Sequence, residues 1–429
     1  MDEKRLLLLF ATTGYEGRDF AAAAQRLGVA VTLGTDHCHS LDDPWHDGAL
    51  ALRFNQPRTA ARVIERYARE HPIHGIVAVG DLPVRTAALA SARLGLPHNP
   101  STAAAACRNK YLARRLLRAA GVSVPPFARF PLDADAADAA RQVAYPCVLK
   151  PLALSASRGV VRAGGPAEFV VAFRRVAALL RTAEVRVRRD EADDWILVEG
   201  YLEGREATLE GLLDNGVLRV LAIFDKPDPL EGPFFEETLF VTPSREDAAT
   251  QAAMVKEVDR ACRALGLVRG PIHAELRLTP QGPRILEIAA RAIGGLCSRT
   301  LRFGTGMSLE ELIIRHALGL EIEPRREDRA VGVMMLPIER PGIYERVEGI
   351  EAARAVDGID EVTITAKSSQ ALLPLPEGGS YLGFIFARGD SPQQVEQALR
   401  QAHRALRFTV SPILPVAAAA TAAAAARGS

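Results

Sequence analysis

Two changes of pattern along the chain predict a mixed architecture, α/β followed by α+β, laid out in consecutive units. Residues 6 to 98 alternate apolar runs with amphipathic helical stretches, as parallel strands joined by crossover helices do. From residue 195 the sequence changes to strand runs separated by hairpin turn signals, and residues 330 to 410 read as a further α+β unit. At 429 residues the chain is long enough for two or three domains and a large core. We place the boundaries at 1–98 for a doubly wound N-terminal domain, 99–192 and 193–325 for two central subdomains, 326–411 for a C-terminal domain and 412–429 for an alanine-rich tail.

The N-terminal unit runs from the strand "LLLLFATTG" through the helix "GRDFAAAAQRLG", the strand "VAVTLGTD", a helix over 57–70, the strand "GIVAVGD" and a helix ending "ALASARLGLP". The charged head and apolar run at the start imitate a signal peptide, but the run stops at Thr12 and reads better as a first strand entering a glycine loop. Next come one helix over 101–121, the link "VSVPPF", the strand "PCVLKP", the small-residue loop "LALSASRGVV" and the helix "PAEFVVAFRRVAALLR". Near the end, Ser391 can cap a helix whose first turn holds Pro392.

Composition removes several function classes. A formal net charge of +1 gives no field for nucleic acid or anionic lipid. No window of about 18 apolar residues suggests a membrane span. The five cysteines (Cys38, Cys107, Cys147, Cys262, Cys297) are scattered, odd in number and without a CxxC pair, which argues against a disulfide framework and for a cytoplasmic protein. Of 53 basic residues only six are lysines, so a lysine in an ordered stretch draws notice.

The stretch "IHAELRLTPQGPRILEIAAR" holds two strands around the turn signal "TPQGP". Folding it about Gln281 sets Glu275 opposite Glu287. A period of two then puts His273, Glu275 and Arg277 on one face with Ile285, Glu287, Ala289 and Arg291, and leaves Ala274, Leu276, Leu278, Leu286, Ile288 and Ala290 on the other. Two facing carboxylates are either a solvated surface pair or the two protein ligands of a Mg²⁺ ion, which fills its other positions with water and phosphate oxygens. Phosphate implies a nucleotide. No lysine follows a glycine, so a P-loop is excluded, and the N-terminal unit lacks GxGxxG. Lys110 instead lies on a helix, and Lys150 ends the strand "CVLKP" just before the small-residue loop, where ammonium and backbone N–H groups can hold phosphates.

In this order, over about residues 100 to 320, these pieces resemble the ATP-grasp superfamily. The resemblance implies an ATP-grasp fold and places ATP and Mg²⁺ (or Mn²⁺) between the two central subdomains. Lys110 and Lys150 would meet the phosphates, with Ser155, Ser157 and Gly159 in a mobile flap. Glu199, Tyr201 and Leu202 would meet adenine, Glu206 would lie near the ribose, and Glu275 and Glu287 would hold the metal. Many members carry Glu-x-Asn-x-Arg on the last strand, where this chain has Glu287, Ala289 and Arg291; an alanine cannot ligate, so water takes that position or the site has lapsed. Arg291 would stabilise a transferring phosphoryl group and an oxyanion, with Gly294 and Gly295 letting backbone N–H groups approach; a plain salt bridge is its other reading.

Within the superfamily, "EIAARAIGG", "GPIHAELRL" and the insertion "DKPDPLEGPFFEETLFVTPS" are most similar to the L-amino acid ligases, the dipeptide synthetases. That implies amide-bond formation through an acylphosphate, with amino acids as carboxylate and amine substrates; homodimers are common in the family. In the insertion Phe234, Glu236 and Glu237 are candidates for an amino acid pocket. Only one of the adjacent glutamates can point inward, and Glu236 is taken as that one. Lys226 reads either as a substrate carboxylate contact or as an exposed ion pair with Asp225, and His273 either as a substrate contact or as a hydrogen-bonded core histidine. A purine-pathway-type ligase on a small carboxylate and a nucleotide-binding regulatory protein without turnover remain alternatives. The loop "DHCHS" with His37, Cys38, His39 and later His46 lacks zinc spacing and reads as a polar loop. The loop "ATTGYEGRD" is not assigned to ATP.

Overall fold

The computed structural model describes residues 4–11, 16–36 and 48–413. Residues 37–47, which hold His37, Cys38, His39 and His46, residues Thr12 to Tyr15 and the tail from Leu414 onward lie outside the described residues. A four-stranded parallel sheet opens the chain, in the order Ala49–Ala51, Ala30–Thr35, Arg5–Phe10, Gly75–Val79. The leucine run of its first strand is wholly buried because both faces are covered. Leu6 and Leu8 pack under the Gly17–Arg26 helix and, from the other end of the chain, the Leu309–Ala317 helix. Leu7 and Leu9 pack under the Pro57–Tyr67 helix.

The single helix expected over 101–121 is two helices, Ser101–Arg108 and Lys110–Ala119. Asn109 breaks the first by taking an extended conformation, φ −117° and ψ 100°, and caps the second by accepting from the Leu112 N–H at 3.0 Å. The break starts a fresh helical turn at Lys110.

A small antiparallel sheet follows, ordered Phe127–Pro131, Trp195–Gly200, Cys147–Pro151, Val161–Ala163, and is covered by the Pro166–Leu180 helix through Phe169, Phe173 and Val176. The large sheet has eight strands, ordered Gly282–Ala289, Gly270–Thr279, Arg205–Asp214, Val217–Asp225, Leu239–Thr242, Ala330–Leu336, Gly383–Gly389, Ile359–Ile364. Its last three strands come from the C-terminal segment, so one sheet runs through both. Ser391 caps the Pro392–Ala405 helix by accepting from the Gln394 N–H, as the sequence predicts. Cys107, Cys147, Cys262 and Cys297 are buried free thiols, and among the described residues no helix is long and apolar enough to cross a membrane.

Glu275 does pair with Glu287 across the hairpin. The strict period of two beyond it does not hold, because a β-bulge lies between Glu275 and Leu276 and pairs Leu276 with Ile285. Ile285, expected on the carboxylate face, therefore joins Ala274, Leu276 and Ile288 in the core, and Leu286, expected in the core, lines the cleft described next.

Candidate active site

The small sheet, the large sheet and the carboxyl ends of the N-terminal parallel strands enclose a cleft of about 710 Å³. Lys110, Lys150, Ser155, Ser157, Glu199, Tyr201, Leu202, Glu206, His273, Glu275, Glu287, Arg291, Gly294 and Gly295 all line it. Three predicted residues do not: Phe234, Gly159 and Glu236. Phe234 packs against the small-sheet core with the Arg175 guanidinium over its ring. Gly159 lies at the base of the flap with φ +75°, where a Cβ would come within 2.6 Å of the Pro151 ring, and its N–H donates to the Pro376 carbonyl at 2.8 Å. Glu236 turns away and accepts from the Ile338 N–H, while its neighbour Glu237 faces the cleft. Alternation along an extended chain allowed one of the two; the buried ammonium of Lys226 decides which.

On the small-sheet wall, Lys150 is held by Glu199 at 2.6 Å. Glu199 is buried and also takes Arg114 through two contacts, 2.5 and 3.3 Å, while Arg114 donates to the Leu286 carbonyl. Burial alone would favour a neutral Glu199, but Arg114 and Lys150 outweigh it and hold its carboxyl down at about 2. The Glu199 side chain, expected at the base, is thus engaged by two cations, and Tyr201 and Leu202 remain on the cleft surface. Lys110 donates to the Leu154 carbonyl at 2.8 Å and lies 3.1 Å from Glu287. Arg114 follows Lys110 by four residues, one helical turn on the same face, a spacing that could have singled it out.

Charge is reversed on the large-sheet wall. Glu275 and Glu287 reach into the cleft with side chains 26% and 27% exposed. Behind them Lys226 is buried, contacting Glu237, 3.3 Å from Glu206 and 3.9 Å from Glu275, so it is not an exposed ion pair; Asp225 pairs with Arg245 instead. Glu206 is also bound by Arg277 at 2.6 Å. His273 is buried, with Nδ1 on Glu210 and Nε2 3.3 Å from Glu275. Burial would lower its pKa, but the Glu210 and Glu275 carboxylates raise it to about 9. Glu275 stays well below the usual carboxylate range despite burial, through Lys226 and His273. The other Glu210 oxygen accepts from the Ile293 N–H at 3.0 Å, which ties this wall to the Gly294–Gly295 loop.

Arg291 projects from the end of the hairpin into a two-contact pair with Asp81, 3.1 and 3.2 Å. Asp81 follows the Gly75–Val79 strand at the carboxyl edge of the parallel sheet, where ligand-facing loops gather, and Glu16 lines the cleft from the same edge. Sequence reading had missed both.

Two carboxylates on adjacent paired strands, partly exposed to a cleft that Lys110, Lys150 and Arg291 also line, fit a Mg²⁺ ion that keeps several waters or phosphate oxygens. Ala289 is buried, and among the described residues no group of three or more His, Cys, Asp or Glu side chains gathers to hold a metal. The donor set is the hard oxygen pair alone.

Comparison with known proteins agrees with this geometry. Residues 143–300 match the family model of the ATP-grasp domain, residues 20–98 that of the ATP-grasp N-terminal domain, and residues 334–411 that of the L-amino acid ligase C-terminal domain 2. The crystal structure of an L-amino acid ligase from Bacillus licheniformis superposes with a TM-score of 0.81 at 28% identity, covering 96% of this chain and 100% of that one. An uncharacterised protein of Sinorhizobium fredii, y4rH, is 24% identical over 95% of this chain and 84% of its own length. Carnosine synthase 1 of Gallus gallus is 33% identical over 36% of this chain, a match that spans 18% of the synthase.

Proposed function

Because the chain is an ATP-grasp enzyme of the L-amino acid ligase type, in a family of carboxylate–amine ligases, we propose that it joins the carboxyl group of one amino acid or similar acid to the amine of another, with conversion of ATP to ADP and phosphate. The observation that carries this reading is one cleft in which Lys110 and Lys150 face the Glu275–Glu287 pair, with Arg291 at its end.

In the first step a carboxylate oxygen of the acid attacks the γ-phosphorus, the bond to the β–γ bridging oxygen breaks, and ADP leaves. Lys150, fixed by Glu199, and Lys110, fixed by the Leu154 carbonyl, neutralise phosphate oxygens without reorganising. Mg²⁺ held by Glu275 and Glu287 would supply Lewis-acid neutralisation of the phosphates. In the second step the amine nitrogen attacks the acyl carbon and loses a proton, and the C–O bond to phosphate breaks. Arg291 would stabilise both the transferring phosphoryl group and the oxyanion; its Nε and Nη2 donate to Asp81 and its Nη1 to the Ala292 carbonyl. Glu237, whose pKa is raised by burial against the pull of Lys226, and Tyr381 also line the cleft and are candidates for the amino acid pocket.

Trapping tests the acylphosphate. With ATP, Mg²⁺ and pooled amino acids, added hydroxylamine should yield an amino acid hydroxamate and one ADP per hydroxamate, and Glu287→Gln should abolish both. A protein that binds nucleotide without turnover, the alternative motivated by Ala289, would give no hydroxamate and no scrambling of the β–γ bridging oxygen in ATP.

A further inference from the structure

A second polar cavity, of about 260 Å³, lies on the far side of the Cys297–Thr300 turn from the cleft. Five guanidinium groups line it, those of Arg299, Arg302, Arg326, Arg329 and Arg388. Three carboxylates share the rim, and two of these are already engaged: Asp360 by Arg388 at 2.6 Å and Glu361 by Arg299 at 2.9 Å. Arg302 donates to the Arg299 and Leu301 carbonyls, and Arg326 to the Arg329 carbonyl. Among the described residues neither of these, nor Arg329, forms a carboxylate ion pair, and Glu327 is the one remaining carboxylate on the rim. Burial lowers the Arg326 pKa against the pull of Asp328 and Glu327, as for a cation short of compensation.

Planar guanidinium forks match the paired oxygens of phosphates and carboxylates, and a walled cavity lets several forks act on one anion. Buried Phe386 and Thr300 close the cavity, and the Thr300 hydroxyl is spent on the Cys297 carbonyl, so the anion-facing donors are the arginines. We propose that this cavity is a second oxyanion-binding site, distinct from the catalytic cleft, which takes a phosphate or carboxylate group between Arg302, Arg326 and Arg329. Its neighbour Arg299 also clamps Asp19 at 2.8 and 3.0 Å, and the turn that carries Arg299 carries Cys297 on the cleft side. The occupant would therefore sit one turn of chain from the Gly294–Gly295 loop.

Equilibrium titration of the full chain with inorganic phosphate and, separately, with malonate, at ionic strength matched with chloride, tests the site. Binding of either anion that weakens about tenfold or more in the Arg302→Gln/Arg326→Gln double variant, and weakens with added salt, supports the assignment and identifies which oxyanion it prefers. Equal affinity in wild type and double variant would place the anion in the catalytic cleft and overturn it, as would the absence of binding by both anions. The thermal midpoint without anion checks the fold of the variant. Arg329→Gln changes an exposed side chain and, should the double variant fail to fold, must show the same weakening.

Discussion

The two walls of the cleft use opposite charge patterns. The small-sheet wall presents a cation, Lys150, fixed by the buried carboxylate of Glu199, which a second buried cation, Arg114, compensates. The large-sheet wall presents carboxylates, Glu275 and Glu206, fixed by the buried cations Lys226, His273 and Arg277. In each case the group shown to the cleft has its counter-ion behind it, away from water. The difference is one of sharing: behind the first wall one carboxylate serves two cations, and behind the second Lys226 is shared by three carboxylates, of which Glu206 also has Arg277 and Glu275 also has His273. Ligand cations and phosphates would complete both sets.

That sharing sets the largest expected effect. Lys226→Met leaves Glu206, Glu237 and Glu275 without their shared ammonium and should cost about 3–5 kcal/mol of stability in urea unfolding. Glu199→Gln, which keeps the shape and leaves Arg114 and Lys150 facing each other, should lose less than that, because Arg114 retains the Leu286 carbonyl; a larger loss than in Lys226→Met would break the comparison. Arg291→Ala should slow substrate-dependent phosphate release about 10²- to 10³-fold while leaving nucleotide affinity within a few-fold. If affinity falls and rate does not, Arg291 serves as a structural tie to Asp81.

A pH effect comes next. His273 has its pKa raised from 6.5 to about 9 in the folded protein, so its contribution to stability is fully present below pH 6.5 and is lost as pH rises through 9. The stability difference between wild type and His273→Gln should accordingly shrink across that window. A difference that grows with pH would mean that His273 is neutral in the fold.

The smallest effect belongs to the flap. Arg175 and Glu377 form a two-contact pair at 2.6 and 2.8 Å between the small subdomain and a C-terminal loop, and Arg158 donates to the Glu377 carbonyl. Both side chains of the pair are largely solvated, so Glu377→Ala should change stability by less than about 1 kcal/mol. It should speed proteolysis within Ser155–Gly159, measured at low salt, if the pair latches the flap.

The hairpin shows what was legible in the sequence. A strong turn signal fixed the pairing of Glu275 with Glu287, and period two put both carboxylates on one face. The bulge next to Glu275 left no such mark, so the faces of Ile285 and Leu286 were exchanged. Lys110 and Lys150 stood out because lysine is rare in this chain. The partners that hold the site were illegible for a different reason. Glu210 with His273, Asp81 with Arg291 and Lys226 with Glu206 meet over separations of 63, 210 and 20 residues, which no local pattern encodes. Glu236 and Glu237 look alike in sequence; only the buried ammonium of Lys226 separates them.

Phosphate release from ATP and Mg²⁺, challenged with pairs of amino acids and amines and followed by mass spectrometry, tests the ligase reading most directly. Release that requires both an acid and an amine, with a product whose mass is their sum less one water, is the predicted result. Phosphate release that is indifferent to the amine, or nucleotide binding with no release for any pair, would contradict it.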